Sequence, residues 1–240
     1  MQHRRPKNRV FAPFLLAVFL TGCTSKHVVV QGNFPPPVIE KVPVVMGVLY
    51  PTEFAKHEIF DPGQLSGESD WRVSTGAAQI EFWDQFFEAM FNDFVSIQDW
   101  KTLEENMNRL DAVIVPRITD LQYTVPERTN VNVYEIQFFY TFEMVEPGAF
   151  HLDQEGVITF DKEQVIAAWR LVSYGKTPSA FIQTAEEAVN LAAVVSLRDA
   201  GANFAQNFEA TPSIATWLDE KTNAHVTPPE NQNHEKWNDS

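Results

Sequence analysis

The spacing of hydrophobic and polar residues changes along this chain, and each change marks a predicted element. A continuous apolar run at 44–50 predicts a strand that is buried on both faces. At 134–144 every second residue is apolar, which indicates a half-buried strand with one face in solvent. Residues 111–121 and 165–174 also have the composition of strands. Pro116 lacks a backbone donor, so its strand should lie at a sheet edge or contain a bulge.

Two other segments have the spacing of helices. At 76–97 large apolar residues recur every three or four positions, and Ser74 or Thr75 can serve as the N-cap. The apolar face is rich in phenylalanine, and these rings either form the core or leave a surplus for a partner or a lipid. In the second segment, Thr184 and Glu187 form a Thr-x-x-Glu capping box ahead of an alanine-rich helix.

Small residues on the alanine-rich helix should let it approach a sheet closely. They lie along one flank at Ala185, Ala188, Ala192 and Val195. Gly175 is expected to end the preceding strand, and Gly201 to end or bend the helix. Residues 100–110 are charged and fit either a helix or a loop.

These elements follow the order β-α-β-β-β-α and predict an α+β fold. Successive strands with short connections favour antiparallel pairing, so we expect a largely antiparallel sheet of about four strands with two helices. The predicted single domain spans residues 44–218. The polar composition of 219–240 predicts a disordered tail.

Two connections are too long for tight turns and are the predicted contact surfaces of the domain. Residues 51–72 have no sustained period and include His57 beside Glu58, a pair that we expect to be solvated. Residues 146–162 separate two strands and contain proline and glycine. Long connections of this kind are often functional.

The amino-terminal residues have the layout of a secretion signal. An apolar run of ten residues at 11–20 follows four basic residues, Arg4, Arg5, Lys7 and Arg9. A membrane-spanning helix needs about 20 apolar residues, and Pro13 interrupts this shorter run. Residues 1–22 are therefore interpreted as a cleaved signal peptide rather than a permanent span.

The apolar run closes with Leu20, Thr21, Gly22 and Cys23, which resemble the lipobox of bacterial lipoproteins. The resemblance implies that the Cys23 thiol is joined to diacylglycerol and that cleavage makes Cys23 the first residue. It also implies three acyl chains, which would give long-lived anchorage. Cys23 is the only cysteine, so no disulfide within the chain competes for its thiol. The alternative is an ordinary signal peptide with a chance cysteine.

The residue after the cysteine indicates which membrane holds the anchor. In enterobacterial lipoproteins an aspartate at that position retains the protein in the inner membrane, and Thr24 stands here instead. The resemblance therefore implies the outer membrane, on its periplasmic face. Residues 23–43 should form an acylated, disordered tether, because the prolines at 35–37 favour an extended chain.

Charge argues against nucleic acid as a partner. The 240 residues carry a net charge of −14, and loss of the four basic residues of the signal brings it to −18. Phosphate backbones and anionic headgroups repel such a protein. Membrane association should therefore come from the lipid on Cys23.

No catalytic or cofactor motif is present in the sequence. It contains no Gly-x-Ser-x-Gly, no phosphate-binding glycine loop and no His-Glu-x-x-His, and an acylated Cys23 is not a nucleophile. Neither a metal nor a cofactor is expected, because no histidine of the mature chain has a second ligand at a useful spacing: His27, His57, His151, His225 and His234.

The element order resembles that of small α+β envelope lipoproteins, among them families that serve lipopolysaccharide assembly, curli secretion and exopolysaccharide secretion. This resemblance implies a class of role and no functional residues. We expect a non-catalytic accessory or assembly subunit of an envelope complex, with protein partners in the envelope. One alternative is a binding protein for a lipid or other apolar ligand, held between the aromatic helix and the sheet. Another is a cell-wall enzyme built from residues distant in sequence.

Overall fold

The computed structural model of the chain describes residues 25–63, 69–126, 133–178 and 184–226. Within these ranges the strands are β1 (Ser25–Val29), β2 (Val42–Leu49), β3 (Glu58–Asp61), β4 (Asp70–Ser74), β5 (Phe91–Ile97), β6 (Ala112–Thr124), β7 (Val133–Val145), β8 (Phe150–Leu152), β9 (Ile158–Phe160) and β10 (Val165–Pro178). The α-helices are α1 (Thr52–Ala55), α2 (Gly76–Met90), α3 (Trp100–Asn106), α4 (Ala185–Phe208) and α5 (Pro212–Val226). The fold is α+β as predicted, with more elements than four strands and two helices.

The main sheet has five strands in the order β10-β7-β6-β2-β5. The consecutive strands β6, β7 and β10 pair antiparallel, which confirms the predicted meander. β2 pairs parallel to both β5 and β6, because the intervening helices return the chain to the same end of the sheet. The main sheet is therefore mixed rather than largely antiparallel.

Two hydrophobic clusters lie on opposite faces of the main sheet. In β6, Ala112 and Ile114 belong to the larger cluster, while the alternate residues Val113 and Val115 belong to the smaller one. Residues of α2, α4, α5 and β1 complete the larger cluster, and residues of α3, β8 and β9 complete the smaller. β2 contributes to both clusters, which confirms the prediction that it is buried on both faces.

The structure shows the predicted alternation in β7 and an irregularity in the strand that contains Pro116. Even-numbered residues of β7 from Tyr134 to Met144 are buried, and the intervening residues are half-buried. Pro116 lies in β6 beyond Ile114, the last residue paired with β2. A register irregularity follows between Ile118 and Asp120. Pro116 therefore lies in the part of β6 that pairs with β7 and not with β2.

The first long helix ends earlier than its spacing predicts. α2 stops at Met90, and Phe91 turns to extended backbone with φ −102° and ψ 155° to begin β5. Phe91 and Phe94 keep the helical spacing although they lie in a strand, so the aromatic pattern alone does not reveal the end. Val95 and Ile97 are β-branched, which favours the strand.

The segment 25–43 is not a disordered tether. β1, β4 and β3 form a small sheet in the order β1-β4-β3, with β1 parallel to β4. The chain then follows α4, where Gln31 exchanges two backbone hydrogen bonds with the Asn190 side chain and Arg198 donates to the Asn33 carbonyl oxygen at 2.7 Å. Phe34 is buried beyond this point. Pairing with distant residues therefore orders a segment whose composition predicts an extended chain.

The two predicted contact segments contain regular structure. Residues 51–72 include α1, β3 and the start of β4, so the prediction of a long irregular loop is wrong for the described part; 64–68 lie outside it. Residues 146–162 fold into the hairpin of β8 and β9, preceded by a 3₁₀ turn at Pro147–Ala149.

α4 packs on β10 as closely as its small residues predict. Ala188 and Ala192 are fully buried, and a Cβ on Gly175 would lie 2.1 Å from the Ala192 carbonyl oxygen. Gly175 does not end β10, which continues to Pro178; the absent side chain admits the helix instead. Gly201 does not end α4 either, because the helix continues to Phe208.

The ends of α4 and α5 complete the described chain. The Thr184 hydroxyl accepts a hydrogen bond from the Glu187 backbone N–H at 3.1 Å, which confirms Thr184 as the N-cap. α5 extends to Val226, so the prediction of disorder is wrong for 219–226, and 227–240 lie outside the described residues. None of the described helices is long and apolar enough to cross a membrane.

Candidate functional site

The predicted lipobox residues, Leu20, Thr21, Gly22 and Cys23, lie outside the described residues. The described chain begins at Ser25, two positions after Cys23. The site that the structure does describe is a cleft of about 590 Å³ beside the carboxyl ends of β2 and β5. A volume of this size lies within the range of about 300–1,000 Å³ that is typical of binding pockets.

Residues of both predicted contact segments line this cleft. The first segment contributes residues 51–53, and the hairpin wall of the cleft consists of Leu152, Asp153 and residues 156–160. Val115 and Arg117 of β6 also line the cleft. The structure therefore brings together two segments that are about a hundred residues apart in the sequence.

The tip of the hairpin is held by local hydrogen bonds. The Asp153 carboxylate accepts from the backbone N–H groups of Glu155 and Val157, each at 2.8 Å. Gly156 has φ +77°, a conformation that favours glycine. Leu152 is 44% exposed and Val157 is 56% exposed. The tip therefore presents two apolar side chains on a fixed backbone.

The base of the hairpin is packed against the main sheet. The rings of Phe150 and Phe160 lie 5.4 Å apart, and both are buried in the smaller cluster. Val145 of β7 and Leu49 of β2 belong to the same cluster. This packing fixes the hairpin wall relative to the strand ends.

Several charged groups in and beside the cleft have structural partners. Glu143 accepts from Arg117 Nε at 3.3 Å and from Lys162 Nζ at 2.6 Å. The Asp99 carboxylate accepts from the Thr102 backbone N–H at 2.7 Å and caps α3. The hydrogen bonds from Thr102 lower the pKa of Asp99. The arrangement suits the binding of another surface, with apolar side chains flanked by fixed charges.

A half-buried carboxylate lies near the Tyr50 side of the cleft. Tyr50 donates a hydrogen bond to Asp84 Oδ1 at 2.7 Å, and Ser96 donates to Oδ2 at 3.3 Å. Burial raises the pKa of Asp84. Burial, followed by the nearby Asp84 charge, raises the pKa of Tyr50 well above its usual value. Sequence reasoning missed this group because its members come from three separate elements.

His57 is not the solvated partner of Glu58. Its Nδ1 lies 2.7 Å from the Thr75 hydroxyl, which also accepts from Gln79 Nε2 at 2.8 Å. Tyr140 in turn donates to Gln79 Oε1 at 2.8 Å, so a hydrogen-bonded chain runs from His57 into the core. Burial lowers the pKa of His57. Glu58 pairs instead with the Arg72 guanidinium.

A second cavity is apolar and lies between helices. Its volume is about 450 Å³, and its lining includes Phe34 and Ile39 of the amino-terminal segment, Phe82 and Phe86 of α2, and Gly201 of α4. The remaining aromatic residues of α2 form the core, since Trp83 and Phe87 are fully buried. The predicted apolar site between α2 and the sheet is thus occupied by side chains, and the open groove lies on another side of α2.

The described residues contain no group of three or more His, Cys, Asp or Glu side chains placed to hold a metal ion.

Comparisons with known proteins give only distant likenesses. No protein-family model matches the chain, and no curated protein matches it. A DUF330 protein from Xanthomonas campestris has a TM-score of 0.45 at 11% identity, over 84% of this chain and 100% of that one. A protein described as a neuraminyllactose-binding hemagglutinin homolog from Helicobacter pylori has a TM-score of 0.41 at 10% identity, over 82% and 100%. A minor lipoprotein from Acinetobacter baumannii has a TM-score of 0.32 at 9% identity, over 72% and 96%. Likenesses at these TM-scores carry no argument about function.

Proposed function

We propose that this chain is a lipoprotein of the bacterial envelope, acylated on Cys23 after removal of residues 1–22. It is anchored in the outer membrane and faces the periplasm. It acts there as a non-catalytic accessory or assembly subunit of an envelope complex. The order of basic residues, apolar run and Leu20–Cys23 motif supports the anchorage.

The proposal of an accessory role rests on one observation: the two contact segments meet at one cleft. Both segments depart from the sheet at its ends, and the hairpin offers Leu152 and Val157 to solvent on a rigid backbone. Exposed apolar residues ringed by charged ones are typical of protein contact surfaces. We assign the partner-binding surface to this cleft.

Crosslinking in cells tests the accessory role. A photoreactive amino acid at Leu152 should yield a discrete crosslink to an envelope protein. Leu191 on α4 is the matched control, because it is an exposed leucine of nearly equal accessibility, 42% against 44%. Crosslinks that are equal from the two positions, or absent from both, contradict the proposed surface.

Fractionation tests the anchorage separately. Cys23→Ser removes the acylated thiol and should move the folded protein from the membrane to the soluble fraction. Labelling of the wild-type protein with an alkyne fatty acid should be lost in the same variant. Unlabelled wild-type protein would contradict the lipoprotein assignment.

The apolar groove supports a second candidate, a binding protein for a lipid or other apolar ligand. Native mass spectrometry of the body without its anchor separates the two: a lipid bound at one per chain favours this candidate. A cell-wall enzyme is the third. It predicts that Glu53→Gln in the cleft abolishes function at unchanged abundance, whereas an accessory subunit should keep its function.

A further inference from the structure

The distance between the lipid and the folded body is short. This step relies on the proposed acylation of Cys23. Only Thr24 separates Cys23 from Ser25, the first residue of β1, and two residues span at most about 7 Å. The acyl chains must therefore enter the bilayer beside this end of β1.

β1 cannot act as a flexible extension of the anchor. It pairs with β4 over its whole length, from Ser25 opposite Asp70 to Val29 opposite Ser74. Val28 is buried in the larger cluster, and the Val30 N–H donates to the Ser74 carbonyl oxygen at 2.9 Å. The small sheet is thus held against the membrane by its own first strand.

The outer face of the small sheet carries exposed apolar residues. His27, Arg72 and Phe60 are direct neighbours across β1, β4 and β3. Phe60 is 55% exposed, and Val29, which lies one row further along this face, is 49% exposed. Phe60 is two residues further along the strand direction than Ser25 and two strands away from it. The distance between their Cα atoms is therefore about 12 Å.

Glu58, Asp70 and Arg72 lie on this face, and the Asp70 carboxylate accepts a hydrogen bond from the Gly63 backbone N–H at 2.9 Å. Glu58 pairs with the Arg72 guanidinium and accepts from the Ser74 hydroxyl. The Arg72 guanidinium also lies 5.3 Å from the centre of the Phe60 ring. The face has one more carboxylate than guanidinium, but both carboxylates have partners, so the face can approach headgroups with less repulsion than the remaining acidic surface.

We propose that the outer face of the small sheet rests on the bilayer, with Phe60 and Val29 among the lipids at the headgroup boundary. Aromatic rings are favoured at this depth, and Arg72 can keep its charge at headgroup level. The cleft lies well away from the anchored end of β1. β6 runs from Val115 at the cleft to Tyr123, whose ring lies 6.2 Å from Trp71 of β4, and these eight steps cover roughly 26 Å.

Site-specific fluorescence tests this orientation. Since acylation occupies the thiol of the only native cysteine, Phe60→Cys in the mature lipoprotein provides one reactive thiol for an environment-sensitive fluorophore. Val157→Cys, at the cleft, is the control of equal exposure. The labelled lipoproteins are compared in detergent and in vesicles of phosphatidylethanolamine and phosphatidylglycerol. In vesicles, the label at position 60 should shift to the blue and be quenched by doxyl lipids, while the label at 157 should do neither.

Each other outcome contradicts the orientation. A label at 60 that stays in water, or labels that are quenched at both positions, would overturn it. A label at 60 that is already blue-shifted in detergent and is not quenched by doxyl lipids in vesicles would show that protein rather than lipid covers the face, which also overturns the orientation. Flotation of unlabelled wild-type protein with the vesicles distinguishes these failures from a failure of the anchor itself. If the wild-type protein does not float, the proposed lipoprotein function is wrong, and the orientation falls with it.

Discussion

The main sheet and the small sheet are stabilised in different ways. The main sheet has strands of seven to fourteen residues and packs against an aromatic cluster. In this cluster the ring centre of Trp83 lies 5.2 Å from that of Phe142 and 5.6 Å from that of Phe204. The small sheet has strands of four or five residues, one exposed face and a polar rim. Both sheets bury side chains in the larger cluster, but the small sheet does so from one face only, through short strands that come from distant segments. The small sheet should therefore open before the main sheet.

The largest expected effect is on the core of the main sheet. Trp83→Ala removes a fully buried ring and should lower the free energy of unfolding by about 3–5 kcal/mol, measured by chemical denaturation. Leu191→Ala is the exposed control, with an expected change within about 0.5 kcal/mol. Similar losses in the two variants would mean that the aromatic cluster does not dominate stability.

A smaller and more local effect is expected in the small sheet. Val28→Ala should cost about 2 kcal/mol, because it removes two buried carbon groups, and exchange of β1 and β4 amide hydrogens should accelerate. Amides of β7 should keep their protection. Val29→Ala, on the exposed face, is the control. Equal acceleration in β7 would show that the two sheets unfold as one unit, and it would break the comparison.

The hydrogen-bonded chain from His57 to Tyr140 joins the two sheets. Tyr140→Phe leaves Gln79 Oε1 without its donor in a buried site and should cost about 1–2 kcal/mol in thermal or chemical denaturation. Replacing Gln79 with leucine in the same protein removes the unpaired group and should restore part of this loss. No recovery in the double variant would show that packing of the ring, rather than the hydrogen bond, matters.

The smallest effect should be a pH dependence from His57. Burial lowers its pKa in the folded state, so the unfolded chain binds more protons near pH 6. The free energy of unfolding should therefore fall as the pH decreases from about 6.5, the usual pKa of histidine, through the lowered value. His57→Asn should lose this component, which is isolated as the difference between wild type and variant at each pH. If the difference in the free energy of unfolding between wild type and variant is the same at every pH in this range, the prediction is wrong.

The sequence predicts those parts of the fold in which neighbouring residues share one environment or contact each other. β7 alternates because one face is buried along its whole length, and Thr184 marks a helix start through contacts within one turn. The end of α2 could not be predicted from spacing. Phe87 lies in the helix and Phe91 and Phe94 lie in a strand, yet all three pack against the same core.

The parts that sequence reasoning missed depend on contacts between distant residues. β1 is short and half polar, and its partner β4 lies 45 positions further along the chain. The two contact segments were predicted separately, but nothing in either one shows that they meet at a cleft. His57 has a carboxylate beside it in sequence, yet its partner in space is Thr75. Pairing of this kind leaves no periodic signal.

The close contact between α4 and β10 also affects how copies of this protein meet. β10 is a sheet edge of fourteen residues, which would ordinarily offer a row of backbone groups to another strand. α4 occupies part of that row: Asp199 accepts from the Tyr174 N–H at 2.9 Å, and Asn203 donates to the Val172 carbonyl oxygen at 3.3 Å. Acylation would concentrate the protein in two dimensions, where encounters between copies are frequent. The helix that Gly175 admits thus also protects the edge from aggregation by strand addition.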